Sequence, residues 1–168
     1  YFWTGGAERV RVDSAGHAII GGGVTLGNGQ TYAAANTLDD YEESTFTATL
    51  KGVTAEPSTL LTTTGFATKI GRSVHYMIGF ENINTTGYAG AVRIIGLPFV
   101  NNGGRAVGNF VGYQGLIFTK TQPFSIIGSG GDIIEAFSIS SNDQWVTSTH
   151  DAGAGSYFWC TGTYITDA

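Results

Sequence analysis

Apolar and polar residues alternate with a period of two along several stretches of this chain. In residues 74–80 every second side chain is large and apolar: Val74, Tyr76, Ile78 and Phe80. Because the side chains of a strand point alternately to its two faces, this pattern predicts a half-buried strand. These four side chains are expected inside, with His75 and Met77 outside. A second alternation, over residues 45–50, predicts another strand of the same kind.

Short runs rich in β-branched and aromatic residues recur beyond these two stretches, separated by clusters of Gly, Asn, Ser and Pro. Together with the first two stretches, they predict strands over residues 46–51, 59–62, 66–70, 73–80, 91–96, 106–113, 115–119, 123–127, 133–139, 144–148 and 157–165. No window of 11 residues shows the 3.6-residue apolar period of a helix. The sequence therefore predicts an all-β fold, and the many short strands favour an antiparallel β-sandwich of jelly-roll type.

The first 38 residues have a different character, with many glycines and few large apolar side chains. The alternation over residues 8–12 and the run 17–20 predict two short strands joined by a turn, and residues 24–38 predict an extended linker. So few apolar residues cannot close a core within one chain, whereas three chains wound together could. We therefore expect a trimeric, intertwined stalk and linker over residues 1–38 and a β-sandwich head over residues 39–168.

Composition narrows the choice of partner. Charged residues make up only 12% of the chain, against 42% hydrophobic ones. This low charge favours a surface that is partly covered by identical subunits. The formal net charge of −5 and the scattering of the eight basic residues argue against nucleic acid, whose phosphates need clustered Lys and Arg. No apolar run reaches the length of a transmembrane helix, so membrane insertion is not expected. Cys160 is the single cysteine and is predicted to be buried.

Residues that might carry catalysis or bind a metal are few and poorly spaced. His75 and His150 lack the spacing of a metal-binding pair and are predicted to be solvated. Asp132 and Glu135 are three residues apart, which places them on opposite faces of a strand. The glycine runs do not form a phosphate-binding loop. We therefore predict no metal, no cofactor and no catalytic residue.

Aromatic residues beside polar ones give the strongest candidate for a binding site. Tyr and Trp rings can stack on the apolar face of a sugar while Asn, Asp and Gln bind its hydroxyls. The predicted ligand-binding residues lie in or near loops: Asn142, Asp143, Gln144 and Trp145, with Tyr113 and Tyr157 as further candidates. Trp145 has the alternative of a core position. For Trp159, which shares a face with Thr161, we expect a subunit interface or the core.

Four segments carry a resemblance to one family. The segment D-Y-E-E-S-T-F-T at residues 40–47 is similar to the D-Y-E-E-G-T-W-T that opens the C-terminal head of many bacteriophage tail fibres and tailspikes. In the same order, residues 66–72 resemble the Y-T-K-I-G-N turn of those heads, residues 94–99 their I-T-G-L-P-F, and residues 161–166 their closing S-G-T-Y-I-T. The resemblance spans residues 39–168. Three residues depart from the usual motif: Ser44, Phe46 and Arg72.

The resemblance implies a receptor-binding head of a phage tail fibre or tailspike, which is an adhesin rather than an enzyme. Its implied partners are two further copies of the chain in a homotrimer, an upstream fibre shaft, and a bacterial surface glycan or outer-membrane protein. Its implied location is the extracellular tail of the virion. Residues 101–157 match no family segment, and host-specific loops are expected there. Two alternatives remain: a trimerisation and folding cap for an upstream depolymerase, and a polysaccharide-degrading glycosidase.

Overall fold

The computed structural model of the protein describes residues 1–25, 37–38, 40–114, 116–117, 123–128, 130–140 and 144–167. All regular elements in these ranges are strands, and they pair antiparallel. The described residues contain no helix that is long and apolar enough to span a membrane. The chain divides into two compact units, Tyr1–Tyr41 and Glu42–Ala168.

The first unit contains five short strands: β1 (Phe2–Thr4), β2 (Ala7–Val12), β3 (Ala18–Ile20), β4 (Val24–Thr25) and β5 (Thr37–Leu38). Strands β1, β2 and β3 form one antiparallel sheet, and β4 pairs with β5. The turn between β2 and β3 is held by Asp13, whose carboxylate accepts backbone N–H groups from Ala15 and His17. The two predicted strands are confirmed. The predicted linker pairs its two ends as β4 and β5, and its middle lies outside the described residues.

The second unit contains eleven strands: β6 (Tyr41–Gly52), β7 (Thr62–Ile70), β8 (Ser73–Ile83), β9 (Val92–Ile95), β10 (Ala106–Tyr113), β11 (Leu116–Ile117), β12 (Phe124–Ile127), β13 (Ile134–Ile139), β14 (Trp145–Thr147), β15 (Thr149–His150) and β16 (Ser156–Ile165). Most lie where the sequence pattern predicts them. The predicted strand over residues 59–62 is wrong, because β7 begins only at Thr62.

Eight of these strands close into a barrel. The hydrogen-bonded order is β12, β10, β16, β8, β7, β6, β9 and β13, and β13 then pairs with β12 to complete the ring. Strand β14 pairs with the second half of β13, after the part of β13 that pairs with β9. The prediction of an antiparallel all-β fold is confirmed. The prediction of a jelly-roll sandwich is wrong. Strand β12 pairs with both β10 and β13, so the sheet closes on itself and does not form two separate sheets.

The core fills the inside of this barrel, and strand β8 shows how the sequence specifies it. Val74, Tyr76, Ile78 and Phe80 are buried, whereas His75 and Met77 are exposed, so the predicted register is confirmed. Burial of these four side chains and of their neighbours on the other strands is the main stabilising contribution of the unit.

A small polar cluster lies within this core. The hydroxyl of Tyr76 is 3.4 Å from the hydroxyl of Ser125 and 3.5 Å from the sulfur of Cys160. Burial raises the pKa of the Tyr76 hydroxyl and of the Cys160 thiol, so both stay protonated near neutral pH. The prediction that Cys160 is buried is confirmed. These groups satisfy one another, which fits a structural role.

Candidate functional site

The hairpin between β13 and β14 presents the strongest of the predicted site residues. Ile139 pairs with Trp145 at the start of β14. The backbone N–H of Ser140 donates to the carbonyl of Gln144 (2.8 Å), and the N–H of Gln144 donates to the hydroxyl of Ser140 (3.2 Å). These two bonds hold the neck of the hairpin. Asn142 and Asp143 lie outside the described residues.

The indole of Trp145 is held on one side and open on the other. Its ring meets the ring of Phe124 edge to face, with centroids 5.7 Å apart, and Phe124 in turn stacks on Phe137 at 5.7 Å. Trp145 nevertheless remains 57% exposed, so the alternative of a core position is wrong. We refer to Phe124, Phe137 and Trp145 as the Trp145 cluster. A rigid, open ring of this kind can stack on the apolar face of a sugar.

Tyr113 and Tyr157 belong to a different group of rings. Their centroids are 6.3 Å apart on the paired strands β10 and β16, and Tyr157 stacks on Trp159 at 5.6 Å. The indole of Trp159 lies against Gly79 of β8, where an added Cβ would come within 3.2 Å of the indole. Trp159 is exposed, so of the two positions expected for it the core is wrong and a subunit interface stays a prediction.

The predicted site residues are therefore divided between two places. Gln144 and Trp145 lie together on the β13–β14 hairpin, whereas Tyr113 and Tyr157 lie beside Trp159 on neighbouring barrel strands. Phe124 and Phe137, whose rings support Trp145, were not predicted as part of the site. Their strands were predicted, but the pairing of β12 with β13 that aligns the two rings leaves no mark in the local pattern.

His150 departs from its prediction. It is buried in β15, with Nε2 3.0 Å from the carbonyl oxygen of Lys51 and its ring 5.0 Å from that of Tyr88. Burial lowers the pKa of His150, because the imidazolium would lose its hydration; the bond to the Lys51 carbonyl opposes this shift only in part. The prediction of a solvated His150 is wrong. His75, by contrast, is exposed as predicted.

The buried His150 should make the protein less stable in mild acid. As the pH falls through about 6.5, the histidine of the unfolded chain takes up a proton while folded His150 resists it, so the free energy of unfolding decreases. For one proton the slope is at most about 1.4 kcal/mol per pH unit. Denaturant unfolding between pH 8 and pH 5.5 measures it. His150→Gln should flatten the dependence, and the exposed control His75→Gln should not; equal slopes in all three proteins would refute this role.

Three described carboxylates bear on the possibility of a paired acid and base. Glu135 accepts a hydrogen bond from Arg93 Nε (2.7 Å) and forms an ion pair with it, so its charge is already matched. Asp132 and Asp151 are exposed. In the described part of the chain, no group of three or more His, Cys, Asp or Glu side chains is arranged to hold a metal ion.

Comparison of the chain with models of protein families finds no match, and comparison with curated proteins finds none either.

Proposed function

We propose that this chain is the receptor-binding head of a phage tail fibre or tailspike, an adhesin without catalytic activity that works outside the cell on the virion. In this proposal it forms a homotrimer that continues an upstream shaft and binds a bacterial surface glycan, or else an outer-membrane protein. The support comes from the four ordered segments between residues 40 and 166 and from the two features described next.

The Trp145 cluster carries the binding part of the proposal. The indole of Trp145 is more than half exposed, so a ligand can stack on it without displacing another side chain. Its contact with Phe124 already holds the ring, so binding costs little side-chain entropy. Gln144 beside it offers an amide that can both donate and accept hydrogen bonds. A stacking ring next to such a group fits a pyranose ring with its hydroxyls.

The first compact unit supports the trimeric part. None of its described side chains is buried, and several large apolar ones, Phe2, Trp3 and Val12 among them, are exposed. A three-stranded sheet without a buried face is not stable alone in water. Intertwining with two further copies would supply the missing core. The same observation also favours the second candidate function, a trimerisation and folding cap for an upstream depolymerase.

Removal of the indole at position 145 separates the two candidates. Trp145→Ala is expected to weaken binding to bacterial cells by roughly 1–3 kcal/mol per site, because a rigid aromatic anchor is lost. Its melting temperature should hardly change, since the indole is largely exposed. Binding is measured with the labelled protein on cells that bind the wild type, and thermal unfolding is measured on the same preparation.

Val53→Ala is the control, because Val53 is similarly exposed (52% against 57%) and belongs neither to the Trp145 cluster nor to the first unit, so its truncation should leave cell binding unchanged. Stripping polysaccharide from the cells should abolish wild-type binding if the receptor is a glycan, and protease treatment should do so if it is a protein. Unchanged binding by Trp145→Ala at unchanged stability would show that this hairpin is not the site. A wild type that binds no cell yet forms stable trimers would favour the cap.

A further inference from the structure

One broad side of the barrel exposes apolar side chains with hardly any charge. It consists of the outward side chains of β7, β8, β16 and β10, which neighbour one another in the ring. We call it the neutral face. Its large apolar members include Phe66, Met77, Val107, Val111, Tyr113 and Trp159, and these six are exposed. Strand pairing aligns several of them, since Phe66 is opposite Met77 and Val111 is opposite Trp159.

Charge is distributed unevenly around the barrel. The four strands of the neutral face, all of them described, contain only Lys69, His75 and Glu81 as basic or acidic residues. Lys69 is buried, with Nζ 5.4 Å from the centre of the Phe99 ring, and Glu81 lies near the end of β8. The strands across the barrel place Arg93 and Glu135 in an ion pair instead. A surface this poor in charge is typical of the buried part of a protein interface.

The neutral face has both a depression and exposed rings beside it. A groove of about 480 Å³ lies between Met77, Val111, Trp159 and Pro123. The hydroxyl of Thr161 in this groove already donates to the carbonyl oxygen of Tyr76 (2.8 Å), which leaves the groove largely apolar. The other nitrogen and oxygen groups on its lining side chains are the amide of Asn109 and the indole N–H of Trp159. These are few for the hydroxyls of a sugar, whereas an apolar side chain of another protein would fit.

We propose that the neutral face is the surface through which the barrels of neighbouring copies pack in the homotrimer. This inference rests on the proposed function, under which the chain forms a homotrimer. The six side chains named above expose on the order of 600 Å² of mostly apolar surface. Each copy in a closed ring of three meets two neighbours, so this area is divided between two contacts, and polar side chains around it supply the rest of the roughly 800 Å² that each partner contributes to a stable interface. Two copies can meet here without opposing like charges. In a closed ring of three, the groove of one copy could also receive the exposed rings of the next copy, which is a head-to-tail contact.

A charge placed on the neutral face should break this contact. Val111→Glu is expected to separate the barrels of the trimer, because each interface would otherwise bury an unpaired carboxylate. The sedimentation coefficient should fall even where the intertwined first units keep the three chains together. Val53→Glu is the matched control, since Val53 is as exposed (52% against 54%) but lies in the turn after β6. Analytical ultracentrifugation of the whole chain compares the two variants with the wild type.

Thiol labelling provides a second test with a milder change. Cys160 is buried, so a cysteine introduced at an exposed position should dominate the reaction with a maleimide. Met77→Cys should be labelled at least tenfold more slowly than Val53→Cys in the assembled protein. A Val111→Glu variant that sediments like the wild type, or equal labelling at positions 77 and 53 in a trimer, would overturn the neutral face as the interface and leave the trimer standing. A monomeric wild type would instead overturn the proposed trimer itself.

Discussion

Ile78→Asp is expected to unfold the barrel at room temperature or to leave it barely stable. Ile78 is 1% exposed in the middle of β8, opposite Cys160 of β16. The described hydrophobic cluster that contains Ile78 has no basic side chain, and burying an unpaired carboxylate in it costs about 4 kcal/mol or more. This loss is a large part of the total stability of a domain of this size. Denaturant unfolding followed by tryptophan fluorescence measures it.

Val53→Asp controls for the change of side chain itself. Val53 is exposed after the end of β6, so the same substitution should alter the free energy of unfolding by less than about 0.5 kcal/mol. Equal losses in the two variants would mean that Ile78 does not occupy the core, and the register of β8 would then be wrong.

Gly96→Ala is expected to cost about 3 kcal/mol of stability, an unusually large effect for the addition of one methyl group. Gly96 follows β9 with a φ of +106°, and a Cβ there would overlap the carbonyl oxygen of Thr47 on the neighbouring strand β6. The backbone of β6 cannot yield without breaking its pairing with β9. Gly96 is also the glycine of the segment that resembles the I-T-G-L-P-F of tail-fibre heads. The close approach of the Thr47 carbonyl explains why a glycine is needed at this position.

Gly104→Ala separates the two causes. Gly104 has a similar φ of +94°, but a Cβ there would meet no atom within 4 Å. Its substitution should therefore cost only the backbone strain, about 1–2 kcal/mol. If the two alanine variants lose equal stability in thermal and denaturant unfolding, the contact between positions 96 and 47 contributes nothing.

Local patterns predicted most of the strands but could not predict how the sheet closes. The alternation along β8 identified its buried face, because that information is contained in consecutive side chains. The pairing of β12 with both β10 and β13 joins strands through contacts that no local pattern records, and this pairing turns the expected sandwich into a barrel. His150 was missed for a related reason: its two-residue strand β15 is too short to show a period, and the Lys51 carbonyl that it contacts is 99 residues away.

The candidate site was predicted in part. The polar residues before Trp145 made it a candidate ligand-binding residue; its indole is exposed, and its role in binding stays a prediction. The grouping of Tyr113 and Tyr157 with Trp159, apart from the Trp145 cluster, depends on the pairing of β10 with β16 and was not predicted. The ligand itself stays a prediction, because a ring and an amide are compatible with many sugars.

The mass of the purified chain in solution tests the proposed homotrimeric adhesin most directly. Among the described residues, the first unit has no buried side chain, and the neutral face leaves large apolar side chains in water. We therefore expect the monomer to be less stable than the trimer. Sedimentation equilibrium at micromolar concentration should give three times the monomer mass of 17.6 kDa. A stable, soluble species at the monomer mass would contradict the account.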